Sequence, residues 1–220
     1  SRAPRVPSCG GPLPGLEVRV ASEDGQELGE RHLGEVQVRG PTVTPGYVRN
    51  PGETRAARTP DGWLRTGDLG YLAGGELYLL GRRKDVIIVR GRNLYAHDVE
   101  GVAGEHPDVR TGNVVAFGVP ATDTEALAVV VESRRPQDAT RIAREVRGRL
   151  AEVFGVVAHD VRVVAPGTLP KTSSGKLKRG EMRERYLAGR LSARRSRIET
   201  GAVILRSWLG HLDPRRSRRT

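Results

Sequence analysis

The sequence has one cysteine, few aromatic side chains and no long apolar run. Cys9 is the only cysteine, which excludes an intrachain disulfide and a cysteine-based metal cluster. No stretch approaches the roughly eighteen consecutive apolar residues that a membrane-spanning helix needs, and residues 1–11 lack the apolar core of a signal peptide. We therefore expect a cytoplasmic protein with no membrane span, and the sequence provides no set of metal ligands.

Aromatic residues make up 4% and apolar residues 37% of the 220 positions. This composition predicts a lean core packed mainly by Val, Leu and Ala, in one ordinary domain or two small ones. With 28 Gly and 14 Pro, many turns are expected.

The net charge of +11 is unevenly distributed along the chain. Residues 178–220 contain thirteen Lys and Arg against four acidic residues, so the preceding part is close to neutral. A basic tail is a weaker nucleic-acid signal than a basic folded face with interleaved aromatics, which argues against a nucleic-acid partner. We expect residues 191–220 to be a disordered basic tail, apart from one short amphipathic helix at 202–212.

Hydrophobic periodicity divides the rest of the chain into two patterns. Residues 1–83 alternate apolar and polar side chains between turn signals, which predicts a β-rich unit of hairpins. From residue 84, strands alternate with helices, which predicts a small α+β domain over 84–190. The predicted strands are 16–20, 34–40, 76–80, 86–89, 114–119, 127–131 and 161–164, and the predicted helices are 98–105, 139–154 and 177–187.

Three segments contain candidate chemistry, and the first is WLRTGDLG at 63–70. Asp68 is predicted at a tight bend between glycines. A carboxylate exposed there can accept hydrogen bonds from a vicinal diol such as two ribose hydroxyls. The alternative is that Asp68 is an ordinary turn residue.

The second segment, GRRKDVIIVRGRNLYAHDVE at 81–100, lies where the two patterns meet. Lys84 and Asp85 occupy a position suited to a hinge, since a change in the backbone φ and ψ angles there does not disrupt a core. Arg82 could reach an anionic ligand. The alternative is a solvated domain edge.

The third segment is LPKTSSGKLKR at 169–179. Small residues before Lys176 predict a flexible loop that places a mobile ammonium near phosphate oxygens. The spacing of a P-loop is absent. The alternative is a solvated basic loop.

The order and spacing of these three segments resemble the adenylate-forming superfamily of AMP-binding enzymes, over about residues 9–187. The amino-acid sequence of residues 81–100 is most similar to that of fatty acyl-AMP ligases, followed by long-chain acyl-CoA synthetases. The resemblance implies a β-rich, barrel-like end of a truncated large domain (1–83), a mobile α+β lid domain (84–190) and the tail (191–220).

The resemblance also implies roles for single residues. Asp68 would bind the ribose hydroxyls of the nucleotide, and Arg82 would contact ribose or phosphate. Lys84 and Asp85 would form the hinge, and Lys176 would be the catalytic lysine. Gly91 would lie in the turn that faces the site after the lid rotates.

The implied reaction joins a fatty acid to ATP with Mg²⁺, forms acyl-AMP and pyrophosphate, and passes the acyl group to an acyl-carrier protein. The phosphate loop, adenine pocket and acyl tunnel of the family have no counterpart here, so this part alone is expected to be inactive. The alternatives are an acyl-CoA synthetase, an amino-acid adenylation domain, or a non-catalytic remnant that binds nucleic acid through its basic tail.

Overall fold

The computed structural model describes residues 6–122 and 124–191. It divides the chain into two compact units, Ser1–Val86 and Ile87–Thr220, a division three residues beyond the predicted boundary at 83/84. Apart from Leu191, the predicted basic tail and its helix at 202–212 lie outside the described residues.

The first unit is built on a four-stranded antiparallel sheet in the order β1-β2-β3-β4. Val20 and Val36 on β1 and β2 are buried, and the buried Trp63 ring has the guanidinium of Arg19 4.4 Å and that of Arg39 4.5 Å from its centroid. The strands are β1 Glu17–Ala21, β2 Gly34–Arg39, β3 Leu64–Ala73 and β4 Glu76–Arg82.

A short helix, α1 at Pro51–Ala56, interrupts this β-rich unit, so the prediction of strands and hairpins alone was wrong there. Asn50 caps α1 by accepting the Glu53 N–H at 3.1 Å, and a proline occupies the first turn, where its missing N–H costs nothing. Because α1 buries none of its residues, it has no apolar stripe that periodicity could detect.

The segment after β4 contains a 3-10 turn, Arg83–Asp85, followed by the two-stranded ribbon of β5 (Val86–Val89) and β6 (Arg92–Tyr95). The predicted strand at 86–89 is confirmed. Its burial is one-sided, because Ile88 is 49% exposed. Strand β6 was not predicted.

The second unit contains a three-stranded sheet in which β8 pairs antiparallel with β7 and parallel with β9. Helix α3 connects the parallel pair, as a parallel connection requires. The strands are β7 Val109–Pro120, β8 Glu125–Ser133 and β9 Asp160–Val164, and the helices are α2 Ala96–Gly104, α3 Ala139–Phe154 and α4 Arg179–Leu187.

Both faces of this sheet are covered, because successive strand residues point to opposite faces. Val114 and Val129 join the core formed with α2 and α3. Val115 and Phe117 join a second core, which includes Met182 of α4. The α+β fold class is confirmed. In the described part of the chain, no helix combines the length and apolar character needed to cross a membrane.

Candidate functional site

Asp68 lies inside β3 and not at the tight bend that the glycines around it predicted. It faces Arg82 of β4 in the antiparallel register. Arg82 Nε is 3.1 Å from Asp68 Oδ1, and the Asp68 side chain is 29% exposed. Two candidate residues from different sequence segments thus form one ion pair at the sheet surface.

The backbone before Asp68 is irregular, which explains why the sequence looked like a bend. Gly67 has φ +73°, and the pairing of β3 with β4 shifts register between Leu69 and Gly70. The Thr66 hydroxyl accepts the Asp68 N–H at 3.0 Å and donates to the Val36 carbonyl at 2.7 Å. Thr66 was missed as a functional residue, although a Thr two residues before an Asp is a local hydrogen-bonding signal.

An open cleft of about 510 Å³ lies beside this pair, lined by Gly67, Arg82, Arg83 and Lys84. Arg83 is partly neutralised by an exposed ion pair with Glu23 at 2.9 Å. The three basic side chains give the cleft a positive lining that suits an anionic ligand.

Lys84 and Asp85, the predicted hinge residues, belong to the 3-10 turn and immediately precede Val86, the last residue of the first unit. Lys84 is exposed and Asp85 is half-buried. A single short turn at the junction is the kind of element that can absorb a change in φ and ψ.

Gly91 lies at the tip of the β5–β6 ribbon. It has φ +75° and the preceding Arg90 has φ +49°, and positive values at both central positions match a type I′ hairpin turn. The ribbon is held at Ile88, whose N–H donates to the Glu125 carboxylate at 3.0 Å and whose carbonyl accepts the Thr124 hydroxyl at 2.8 Å.

Lys176 lies in an ordered hairpin. The Lys171–Leu177 bridge closes the stem, and the Thr172 N–H donates to the Lys176 carbonyl at 2.8 Å. The Lys176 N–H in turn donates to the Thr172 hydroxyl at 3.0 Å, and Gly175 supplies a φ of +82° in the turn. The Lys176 side chain itself is exposed. The segment was predicted to be a flexible loop, and its backbone makes these specific turn contacts.

The candidate residues therefore form two groups. Asp68, Arg82 and Lys84 lie in the first unit, and Gly91 and Lys176 lie in the second. Among the described residues there is no group of three or more His, Cys, Asp and Glu that could hold a metal ion.

Comparison with known families matches both units. Residues 1–48 match the family described as AMP-binding enzyme, and residues 84–196 match the family described as Disco-interacting protein 2-like, AMP domain. The medium-chain-fatty-acid–[acyl-carrier-protein] ligase JamA of Moorena producens is 36% identical over 217 residues, which cover 90% of this chain and 36% of JamA. Other relatives carry the names acyl-CoA synthetase and fatty-acid–CoA ligase.

Two solved structures give the same result. Fatty acyl-adenylate ligases from E. coli and L. pneumophila align with a TM-score of 0.73 at 34% identity, over 83% of this chain and 32% of theirs. The McyG A-PCP protein, complexed with phenylalanyl-adenylate, aligns with a TM-score of 0.76 at 32% identity, over 83% of this chain and 29% of its own. This chain spans about a third of the length of the relatives that it matches.

Proposed function

This chain belongs to the adenylate-forming superfamily of AMP-binding enzymes, and from that premise we propose that it is the C-terminal part of a fatty acyl-AMP ligase. In this proposal residues 1–83 are the end of the large adenylation domain, and residues 84–190 are its mobile lid. The observation that carries the proposal is the hairpin that presents the exposed Lys176 ammonium.

Lys176 acts on the first step, in which a fatty carboxylate attacks the α-phosphate of ATP and releases pyrophosphate. Negative charge increases on the phosphate oxygens in the transition state. An ammonium that reaches these oxygens only when the lid is closed stabilises the transition state more than the ground state. The exposure of Lys176 at a turn, with its backbone held by Thr172, supports this role.

Asp68 and Arg82 bind the nucleotide. The Asp68 carboxylate accepts hydrogen bonds from the ribose hydroxyls, and the Arg82 guanidinium contacts ribose or phosphate oxygens. Their 3.1 Å ion pair beside the basic cleft supports this assignment, because the pair holds both groups ready at one surface.

Lys84 and Asp85 form the hinge of the lid, and their place in a 3-10 turn at the junction of the two units supports that role. After rotation, the Gly91 turn faces the site for the second step, in which an acyl-carrier protein receives the acyl group. The name of JamA as an acyl-carrier-protein ligase supports this choice of acceptor.

The side chains present fit ATP as a substrate. Two guanidinium groups and an ammonium line the first-unit cleft, and the Asp68 carboxylate is paired with one of these guanidinium groups. Together they match the hydroxyls of ribose and the oxygens of phosphate. Mg²⁺ would accompany the nucleotide phosphates and neutralise part of their charge. The described residues of this chain would contribute no cluster of ligands to that ion.

The test is pyrophosphate exchange in a fusion enzyme, which joins this chain to the portion of JamA outside the matched region. Lys176→Ala should lower fatty-acid-dependent exchange by about 10²- to 10³-fold, the usual loss for one group that stabilises a transition-state oxyanion. Lys171→Ala is the matched control, because Lys171 is an exposed lysine in the same hairpin. An exchange rate that Lys176→Ala leaves unchanged would refute the role of this lysine.

A second candidate is an acyl-CoA synthetase, which the names of other relatives favour. The first step would be the same. Supplying the fusion enzyme with CoA and, separately, with a carrier protein decides between the two acceptors. Accumulation of acyl-CoA would show that the enzyme is an acyl-CoA synthetase and not a ligase that uses a carrier protein.

A further inference from the structure

Glu100 of α2 makes a bidentate ion pair with Arg179, the first residue of α4. Arg179 Nε donates to Glu100 Oε1 at 3.0 Å and Arg179 Nη2 donates to Glu100 Oε2 at 2.9 Å. Glu100 Oε1 also accepts the Ala116 N–H of β7 at 3.0 Å. The two side chains are 17% and 25% exposed, so this carboxylate joins a helix, a strand and the start of a second helix.

The position of Arg179 links this pair to the lysine hairpin, which we define as residues 170–178. Arg179 directly follows the hairpin and stands three residues after Lys176. The hairpin is closed at this point by the Lys178 N–H, which donates to the Pro170 carbonyl at 2.9 Å. The bidentate pair therefore fixes the place where the hairpin leaves the body of the second unit.

A second carboxylate fixes the place where the hairpin begins. Glu132 of β8 is 1% exposed. Its Oε1 accepts the Leu169 N–H at 2.9 Å, directly before the hairpin, and its Oε2 accepts Arg110 Nη1 at 2.5 Å. Leu169 is itself buried in the core on that face of the sheet.

Carboxylates this far removed from water are costly, and simple apolar packing would hold a loop as well or better for stability alone. Each carboxylate accepts two or three directed hydrogen bonds, and these bonds fix the orientation of the groups that donate them. Here that orientation is imposed on both ends of one nine-residue hairpin. The effect is to limit how far Lys176 can move by bending of its own loop.

We infer that Glu100 and Glu132 are positioning residues that hold the two ends of the lysine hairpin, so that Lys176 moves with the second unit as one body. The catalytic meaning of this inference rests on the proposed function, but the mechanical part does not. Neither carboxylate was singled out in the sequence, where Glu100 and Arg179 are 79 positions apart.

The mechanical part is tested on this chain by amide hydrogen exchange. Glu100→Gln keeps an acceptor for the Ala116 N–H but loses the ion pair, and amides of residues 171–177 should then exchange at least tenfold faster. Glu152→Gln is the matched control, because it breaks the exposed Arg149–Glu152 pair on α3 (3.0 Å) and touches no part of the hairpin. Unchanged exchange in residues 171–177 of a folded Glu100→Gln protein would overturn the inference.

If Glu100→Gln does not fold, Arg179→Lys gives the same test. Lysine keeps the positive charge but cannot make the bidentate fork of a guanidinium, so the hairpin amides should still exchange faster. Glu132→Gln tests the other end, and faster exchange should then begin at the Leu169 amide. No increase in either variant would count against the inference in the same way.

The catalytic part is tested in the fusion enzyme by separating kcat from KM. Glu100→Gln should lower kcat for pyrophosphate exchange by about tenfold and leave KM for ATP within twofold, because Lys176 contributes mainly in the transition state. Acyl transfer from supplied acyl-adenylate should not change. Loss of both half-reactions together would mark Glu100 as a general structural residue and overturn the inference.

The two proposals fail in different ways. Suppose that Lys176→Ala leaves the rate of pyrophosphate exchange unchanged, while Glu100→Gln still speeds hydrogen exchange of the hairpin amides. The proposed function is then wrong and the mechanical inference stands. Suppose instead that Lys176→Ala lowers pyrophosphate exchange as expected, while Glu100→Gln and Arg179→Lys change neither the hydrogen-exchange rates of the hairpin amides nor kcat. The proposed function then stands and the positioning role is refuted.

Discussion

Asp68 and Arg82 face each other across the β3–β4 pair, and Arg82 Nε lies 3.1 Å from Asp68 Oδ1. Opposed residues on antiparallel strands are fixed by backbone hydrogen bonds, so a cross-strand pair holds its geometry better than a pair on loops. In the proposed function this arrangement orients the carboxylate toward the ribose before ATP arrives. It also means that Asp68 cannot be replaced without changing the environment of Arg82.

Asp68→Asn in the fusion enzyme is expected to weaken nucleotide binding. A hydrogen bond to a charged group contributes about 1.5–3 kcal/mol, so KM for ATP should rise tenfold or more. Asp61→Asn is the matched control, since Asp61 is also an aspartate of the first unit paired with an arginine, Arg19 at 2.8 Å. Equal KM values for wild type and Asp68→Asn would contradict the ribose-binding role.

Asp61 should make the stability of the first unit depend on pH. The side chain of Thr59 and the Arg19 guanidinium hold the pKa of Asp61 at about 2, below the ordinary value of 3.8. Because the folded pKa is the lower one, the contribution is present above about pH 4 and is lost as the pH falls toward 2. Denaturant unfolding at pH 2–6 should therefore show wild type more stable than Asp61→Asn at pH 5–6, with the gap narrowing below pH 4. A gap that stays constant over this range would contradict the pKa assignment.

Regular periodicity explains which elements could be predicted. Helix α3 was predicted with its observed bounds because Ile142, Val146 and Leu150 repeat on one buried face, and Gly155 ends the helix with φ +66°. Helix α1 has no such repeat and was not predicted. Helix α1 buries no residue, and its Asn-Pro start was the sole signal in the sequence.

The sequence predicts candidate site residues, but it does not predict their geometry. The glycines around Asp68 predicted a bend, and Gly67 does adopt a positive φ. The strand nevertheless continues past Gly67 through a register shift. Local sequence cannot reveal the register that places Arg82 of β4 opposite Asp68. The contacts of Glu100 and Glu132 were hidden for a different reason, since each joins segments far apart in the chain.

Met182 is expected to be the residue that fixes α4 on the sheet. Its side chain is fully buried in the core that includes Phe117 and Val130. Met182→Ala should lower the free energy of unfolding of the second unit by about 2–5 kcal/mol, through lost apolar burial and the cavity left behind. Leu187→Ala on the same helix is the control: Leu187 is 48% exposed, so the change should stay within about 0.5–1 kcal/mol. Denaturant titration of both variants measures the difference, and equal losses would show that α4 is not anchored through Met182.

Gly91→Ala should act on the second half-reaction alone. With φ at +75°, an alanine at this position strains the turn by about 1–2 kcal/mol, although a Cβ there would meet no atom within 4 Å. The strain is confined to the tip of the β5–β6 ribbon, because Ile88 remains tied to Thr124 and Glu125. Acyl transfer from acyl-adenylate to the carrier protein should slow, and pyrophosphate exchange should keep its wild-type rate.

Gly101→Ala controls for the added methyl group. Gly101 lies in α2 and a Cβ there also meets nothing within 4 Å, but its φ is not positive, so alanine should be neutral or stabilising by up to about 1 kcal/mol. Measuring both half-reactions in the two variants separates turn strain from bulk. A strain that acts only after the lid has rotated should leave the rate of adenylation unchanged. If Gly91→Ala slowed adenylation and acyl transfer equally, the turn would not be specific to the second step.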